Sequence, residues 1–158
     1  MGFKPLLMLA CALVLSAFVK ADIEVSLVDS VPGFNDASNR LLAEAGSITT
    51  CRFFLLNAQM MNNPSNPNFR TVYLRVTGPP FEGAVDNLNF PEKGVSFTHD
   101  LVRIIYDGDN CDCTLTIYQK EENRGRSKDY VSTGQIGRHN IDPCWARKAE
   151  SLSIKCNI

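Results

Sequence analysis

Cysteines are the residues of this 158-residue chain whose spacing most directly implies covalent chemistry. They are Cys11, Cys51, Cys111, Cys113, Cys144 and Cys156. Cys11 lies in an apolar N-terminal run that we expect to be removed on export, so five cysteines remain. In an exported chain, an odd number predicts two disulfides and one thiol that is free, buried or paired with another molecule.

The pairing of these five cysteines cannot be read from sequence alone. We expect Cys144 and Cys156 to reach back to the closely spaced pair Cys111 and Cys113. Cys51 is then the candidate odd thiol, and the protein is expected to be a monomer or a disulfide-linked dimer.

Metal ligands are sparse in the sequence. No CxxC pair occurs, and His99 and His139 stand alone, so we expect no zinc site. The acidic stretch at 107–112 lacks the glutamate and the spacing of an EF-hand loop, which favours a solvated turn. We therefore expect no bound metal and no cofactor.

Catalysis would have to start from one of the two histidines. His99 precedes Asp100 and His139 is followed by Asp142, and either pair could be completed by a Ser or Cys from elsewhere in the fold. Nucleophile elbows, HExxH helices and phosphate-binding loops are absent from the sequence. Both histidines lie beside turn-forming residues, which predicts surface positions. We assign no catalytic residue, and a secreted hydrolase is the third hypothesis.

Positive charge is concentrated in the second half of the chain. Residues 22–113 contain 6 basic and 12 acidic residues, whereas residues 114–158 contain 8 basic and 5 acidic. A candidate binding surface comprises Lys120, Arg124, Arg126, Lys128 and Trp145. The four cations could meet an anionic surface, although a solvated hairpin face is the plainer interpretation. Trp145 would either pack beside a cystine or contribute to that surface.

The N-terminus has the pattern of a secretory signal peptide. Lys4 precedes an apolar run at 5–19, and Val19 and Ala21 place small residues at −3 and −1 for cleavage after Ala21, with Ala17 as the alternative. Removal of residues 1–21 leaves 14 basic and 17 acidic residues, a net charge of −3. Secretion is predicted, and nucleic-acid binding is not.

The elements before residue 70 are mixed. Ile23, Val25 and Leu27 alternate with polar residues, which predicts a half-buried strand. Residues 33–46 predict one short helix that ends at Gly46. Residues 47–57 predict a strand buried on both faces, and residues 60–68, rich in Pro and Asn, predict a loop. We therefore expect residues 22–69 to form a strand-helix-strand extension followed by this loop.

From residue 70 onward the chain alternates between short apolar runs and turn sequences. The runs are TVYLRV, AVDNLNF, LVRIIYD, CTLTIYQ, KDYVS and SLSIKC. Many short strands at such intervals are typical of an all-β sandwich or barrel. We assign residues 70–158 to this domain.

Two stretches of that domain look alike. VYLRVTGPPFEG and LTIYQKEENRGR each lead from an apolar strand through a polar turn to a glycine, Gly83 or Gly125. A folded hairpin needs a residue without Cβ at positive φ and an aromatic to cover it. We expect Tyr118 to be that aromatic in the second copy and Phe81 to cover the first.

On these residues the sequence resembles a βγ-crystallin domain, whose Greek-key motif has an aromatic, a glycine about seven residues later, and a serine before the final strand. Tyr118, Gly125 and Ser151 stand in the corresponding positions. The resemblance implies an all-β sandwich of two Greek-key motifs over residues 70–158. The first copy departs from the motif because Val76 replaces the aromatic.

The resemblance also bears on calcium. Many microbial members of that family bind Ca²⁺ through Asp or Asn residues and a Ser or Thr before the final strand. Here Arg147 and Lys148 occupy the stretch where those carboxylates are expected. Calcium requires several oxygen ligands and no nearby ammonium group. Because of this departure from the family's pattern, we expect no calcium site in that stretch.

Two classes of function remain. The leading hypothesis is a secreted, non-enzymatic binding or effector protein, such as a defence or body-fluid factor, whose partner is an extracellular protein, a glycan or a microbial surface. The alternative is an extracellular structural or matrix protein, or a membrane-active, toxin-like one; membrane contact is the less favoured reading.

Overall fold

The computed structural model describes residues 23–28, 50–62, 71–77, 81–108 and 111–157. The expected signal peptide, the expected helix over 33–46 and the two prolines of the expected loop lie outside these residues. Within the described ranges, no helix is long and apolar enough to cross a membrane.

The described residues are mostly β-strand, as the sequence predicts. The strands are β1 Glu24–Val28, β2 Thr50–Leu56, β3 Thr71–Thr77, β4 Phe81–Val85, β5 Asn89–Phe90, β6 Val95–Ser96, β7 Arg103–Gly108, β8 Cys113–Lys120, β9 Arg124–Ser132, β10 Ile136–Asn140 and β11 Ser151–Cys156. Two short helices, α1 Ala58–Asn62 and α2 Pro143–Ala146, and a 3₁₀ turn at Pro91–Lys93 interrupt them.

The strands form two antiparallel sheets and a small β5–β6 ribbon. The first sheet has the order β1-β3-β2-β7-β10, and the second has the order β4-β11-β8-β9. The buried core contains apolar side chains of both sheets, such as Leu74 and Ile104 from the first and Leu115 and Ile154 from the second. The sheets therefore pack face to face as a sandwich.

Two four-strand units with the same path make up most of this sandwich. In the unit β8 to β11, the first two strands are neighbours, the third lies in the other sheet, and the fourth returns beside the first. The strands β2, β3, β4 and β7 follow the same path. Each unit places its third strand beside the fourth strand of the other unit, β4 on β11 and β10 on β7.

This path corrects the predicted repeat. VYLRVTGPPFEG is not a hairpin, because β3 lies in the first sheet and β4 in the second. The partner of the β8–β9 hairpin in the other unit is the β2–β3 pair, which a long connection separates. The prediction was wrong because local turn residues resemble each other whether the chain folds back on itself or crosses between sheets.

The two described strands before residue 70 belong to the first sheet. β1 pairs with β3, and β2 lies between β3 and β7. β2 is buried on both faces, as predicted: Phe53 and Leu55 enter the main core, whereas Phe54 and Leu56 pack with Ile105 on the opposite face. The boundary that the sequence suggests at residue 70 does not separate two folded units.

The start of the predicted loop is helical. Met60 lies in α1, is 8% exposed and packs into the core, and Asn57 Oδ1 accepts a hydrogen bond from Met60 N at 3.0 Å. Residues 60–62 of the predicted loop are therefore helical, and burial of Met60 stabilises this short helix.

The cysteines pair in part as expected, because Cys156 does reach back to the closely spaced pair Cys111 and Cys113. Cys51 bonds to Cys111 and Cys113 bonds to Cys156, whereas Cys144 is free and exposed. Cys51 is therefore not the odd thiol, and Cys144 does not reach back to the 111–113 pair. The pairing follows strand register, which sequence does not reveal: Cys113 lies directly opposite Cys156.

The register of β2 explains the other bond. Cys51 lies beside Gly108 at the end of β7, three residues before Cys111 in the sequence. A Cβ on Gly108 would collide with Thr50 O and lie 2.8 Å from Cys51 Cα. The glycine therefore permits the close approach that brings Cys51 to Cys111.

Candidate functional site

The β8–β9 hairpin corner brings together the residues that the sequence singles out there. Ser151 lies opposite Tyr118 in the β11–β8 register. Ser151 is fully buried; its Oγ donates to Lys120 O at 2.6 Å and accepts from Asn123 N at 3.0 Å. These two bonds tie the hairpin to the start of the last strand.

Gly125 provides the backbone conformation that the corner needs. Its φ is +81°. Tyr118 pairs with Ser127 and Lys120 pairs with Arg124, so an advance of two residues along β8 corresponds to three residues along β9. β9 therefore carries one extra residue, and a glycine at positive φ is the usual first residue of such a bulge. Gly125 therefore adopts the positive φ expected at this position, but a Cβ there would lie nearest to the side chain of Lys120 and not to that of Tyr118, which was expected to cover it.

Phe81 and Gly83 lie away from any hairpin. Both are residues of β4, where Gly83 pairs with Ile154. A Cβ on Gly83 would lie 2.8 Å from Phe81 Cζ and 2.8 Å from Ile23 Cγ1. Phe81 therefore covers Gly83, as expected, but inside a strand where β1 approaches β4.

The four predicted cations lie along the hairpin. Lys120 pairs with Arg124 next to its turn. Lys120, Arg124 and Arg126 are exposed, while Lys128 is half-buried. Arg124 Nη2 lies 3.3 Å from Glu122 Oε2. Lys128 Nζ lies 5.5 Å from the Tyr130 ring centroid, within the range of a cation–π contact.

β9 presents these cations at an edge. It is the last strand of its sheet, and after the bulge Arg126 and Lys128 project from one face because strand residues alternate. Among the described residues, Arg126 forms no ion pair. The neighbouring edge strand β10 adds exposed Arg138. We use the name cationic rim for the basic residues of this hairpin and of edge strand β10, which are Lys120, Arg124, Arg126, Lys128 and Arg138.

Trp145 is not part of this rim. Asp142 caps α2 by accepting a hydrogen bond from Cys144 N at 2.8 Å. Pro143 lies in the first turn of α2, where a backbone N–H would have no partner within the helix and proline has none to donate. Trp145 is half-buried and packs against the core. In the part of the chain that the structure describes, it makes no cation–π contact with the rim.

A polar and aromatic cluster behind the rim was missed by the sequence reasoning. Ser132 Oγ and His139 Nε2 are hydrogen-bonded at 2.8 Å, and Ser132 is fully buried. The His139 ring lies 5.3 Å from the Tyr106 ring and 5.7 Å from the Tyr130 ring, between centroids. Lys128, Tyr130 and Ser132 occupy every second position of β9 and therefore share one face, and this spacing was the sequence signal that could have revealed the cluster.

His139 is half-buried and not at the surface as expected, because Gly137 lets β10 lie closely on Tyr106. Burial lowers the pKa of the His139 imidazole below its usual range. Tyr106 Oη donates to Thr133 O at 3.2 Å, whereas Tyr130 Oη is buried without a hydrogen-bond partner.

The predicted catalytic pairs do not assemble. His99 Nε2 lies 2.8 Å from Glu150 Oε1, and Asp100 accepts from Ala58 N. Asp142 is used as a helix cap, and no described carboxylate contacts His139. The Ser132 hydroxyl is also inaccessible to a substrate. Within the described ranges, no cluster of three or more potential ligands could hold a metal ion.

Comparison with known proteins found no matching family model, no matching curated protein and no matching solved structure.

Proposed function

We propose that the chain is a secreted, non-enzymatic binding protein with a βγ-crystallin-like Greek-key fold, and that its cationic rim binds anionic glycans of the kind displayed by microbial envelopes and extracellular matrices. A role as a defence or body-fluid factor would follow from such binding. The observation that carries the proposal is the row of exposed cations on edge strand β9, where Arg126 has no acidic partner among the described residues.

The strand path supports the Greek-key assignment. Each of the two four-strand units places its third strand beside the fourth strand of the other unit. In each unit the fourth strand returns beside the first. The aromatic, glycine and serine of the motif also have counterparts at one hairpin. Tyr118 lies opposite Ser151, Gly125 has a positive φ, and Ser151 Oγ accepts a hydrogen bond from the turn residue Asn123. The two disulfides, which persist in oxidising compartments, support secretion.

The charge distribution supports an anionic partner. β9 contains three basic residues and one acidic residue, Asp129, which accepts a hydrogen bond from Thr116 Oγ1 at 2.7 Å on the other face. Individual exposed charges bind weakly, so a polyanion that contacts several of them at once is the ligand that such a row favours.

The test compares two double variants with equal charge. Arg126→Gln with Lys128→Gln removes two rim cations, and Arg147→Gln with Lys148→Gln removes two exposed cations outside β9 and β10. Binding of mature protein to immobilised heparin, lipopolysaccharide and neutral dextran is measured at several salt concentrations. At about 0.5–1 kcal/mol per cation, the first variant should bind the anionic glycans roughly 5- to 30-fold more weakly.

Equal loss in both variants would show that only net charge matters and would overturn the assignment to the rim. Cations on an edge strand also prevent sheets from pairing edge to edge. If the first variant self-associates in light scattering and wild-type protein binds none of the glycans, the cations serve that protective role and the proposed function is wrong.

A second candidate function is a disulfide-linked structural protein, which the exposed thiol of Cys144 favours. Non-reducing electrophoresis of the secreted protein tests it. A dimer that disappears in Cys144→Ser would support this candidate, and a monomer in both would exclude it. Leakage of phosphatidylglycerol vesicles would instead indicate the membrane-active alternative.

A further inference from the structure

The two lateral sides of the sandwich are closed by different chemistry. On one side, where β1 approaches β4, the contact is apolar and joins Ile23 to Gly83 and Phe81. On the other side, where β9 approaches β10, the contact contains the hydrogen bond between Ser132 and His139. Only the second contact includes a group that titrates near neutral pH.

His139 meets few groups that could neutralise a positive charge. β9 contributes the Ser132 hydroxyl and the Tyr130 ring, and β7 contributes the Tyr106 ring. The charge nearest in this cluster is the Lys128 ammonium, which lies over the same Tyr130 ring. On β10 itself, Gly137 shares the inward face, while Arg138 alternates to the other face. No described carboxylate contacts His139.

Protonation of His139 is therefore unfavourable in the closed junction. Two tyrosine rings offer some cation–π stabilisation, but their tilted planes, at 31° and 53°, do not replace a carboxylate. Burial is the dominant effect, and it lowers the pKa of His139.

The sign of the pH effect follows from this. An exposed histidine has a pKa of about 6.5, so the junction has its full stability above that pH. Below it, an opened junction takes up a proton that the closed junction disfavours, and stability falls until the pH passes the lowered pKa.

We propose that His139 is a pH-sensitive latch that holds β10 against β9 at neutral pH and releases this side of the sandwich in acid. Because β9 and β10 carry the cationic rim, release would alter how its cations are presented to an anionic glycan. This consequence rests on the proposed function, whereas the latch itself requires no ligand and is tested without one.

Release should be confined to one side of the sandwich. The described residues that meet there, Ile23, Phe81 and Gly83, contain no titratable group, so this side should remain closed at the same pH. If the closed state took no proton, opening at pH 5.0 would increase by at most about 25-fold relative to pH 7.0.

The experiment is amide hydrogen exchange of the mature protein at pH 7.0 and pH 5.0, corrected for intrinsic exchange rates and resolved by residue. In wild type, protection of β9 and β10 should fall severalfold in acid relative to β4 and β11. His139→Gln retains a side-chain partner for Ser132 but cannot titrate, so its protection ratio should not change with pH. His99→Gln, which removes the histidine bonded to Glu150, should behave as wild type.

Equal loss of protection in all strands, or an unchanged pH response in His139→Gln, would overturn the latch. If His139→Gln does not fold, titration of the wild-type imidazole by NMR decides the question. A midpoint for His139 below about 6.5 supports the latch, and one at or above 6.5 contradicts it. A working latch without glycan binding would refute only the proposed function.

Discussion

The disulfide between Cys51 and Cys111 should contribute a large part of the stability of this domain. It joins β2 of the first sheet to the residues just before β8 of the second, across a sequence separation of 60. Closing a loop of that length in the unfolded chain corresponds to about 4 kcal/mol in the chain-entropy account. Small domains are stable by only about 5–15 kcal/mol in total.

The perturbation is Cys51→Ser combined with Cys111→Ser, and the control is Cys144→Ser. Urea unfolding of each mature variant is followed by fluorescence, and the free energy of unfolding is compared at equal m-values. We expect the double variant to lose about 2–4 kcal/mol, the usual range for a disulfide. The control should change by less than about 0.5 kcal/mol because Cys144 is exposed and unbonded.

Peptide mapping under non-reducing conditions provides an independent check, which remains valid if the double variant fails to fold. It should recover Cys51 with Cys111 and Cys113 with Cys156. Recovery of Cys144 in an intramolecular bond, or a larger loss of stability in Cys144→Ser than in the double variant, would refute the strand register on which the fold description depends.

Three further predictions concern the hairpin corner and the β9–β10 junction. Ser151→Ala should lower the free energy of unfolding in urea by about 1–3 kcal/mol, because Asn123 N loses its buried acceptor. A loss no larger than that measured for Ser153→Ala would contradict this. Gly125→Ala places a side chain at a φ of +81° and should lower the same free energy by about 1 kcal/mol, and no loss would show that the bulge relaxes. The melting temperature of wild type should fall as pH decreases below about 6.5, with a smaller fall in His139→Gln; parallel curves would show that other groups control acid stability.

The sequence predicted what depends on local pattern. The existence of β1, the burial of β2, the all-β class and the positive φ of Gly125 follow from residue type and spacing, because a period of two and a glycine after a polar turn have few structural solutions. In β1, however, Leu27 is exposed and not half-buried as expected. The cations at 120–128 lie in a stretch without apolar residues, which favours an exposed turn.

What depends on pairing between distant strands could not be predicted. The bond of Cys51 requires that β2 lie beside β7, and the position of His139 requires that β9 and β10 cross from one sheet to the other. The mistaken repeat has the same origin, since Gly83 resembles Gly125 in local sequence but does not share its positive φ. Register and sheet order arise from burial of the whole core, which no short segment encodes.

The central claim is that the edge formed by β9 and β10 is the binding surface. Its most direct test is a titration of ¹⁵N-labelled mature protein with a heparin-derived oligosaccharide, monitored residue by residue by NMR at neutral pH. Chemical-shift changes should concentrate on residues 120–130 and 136–140 and weaken as salt is added. Changes centred on Trp145 or on β4, or no saturable change, would contradict it.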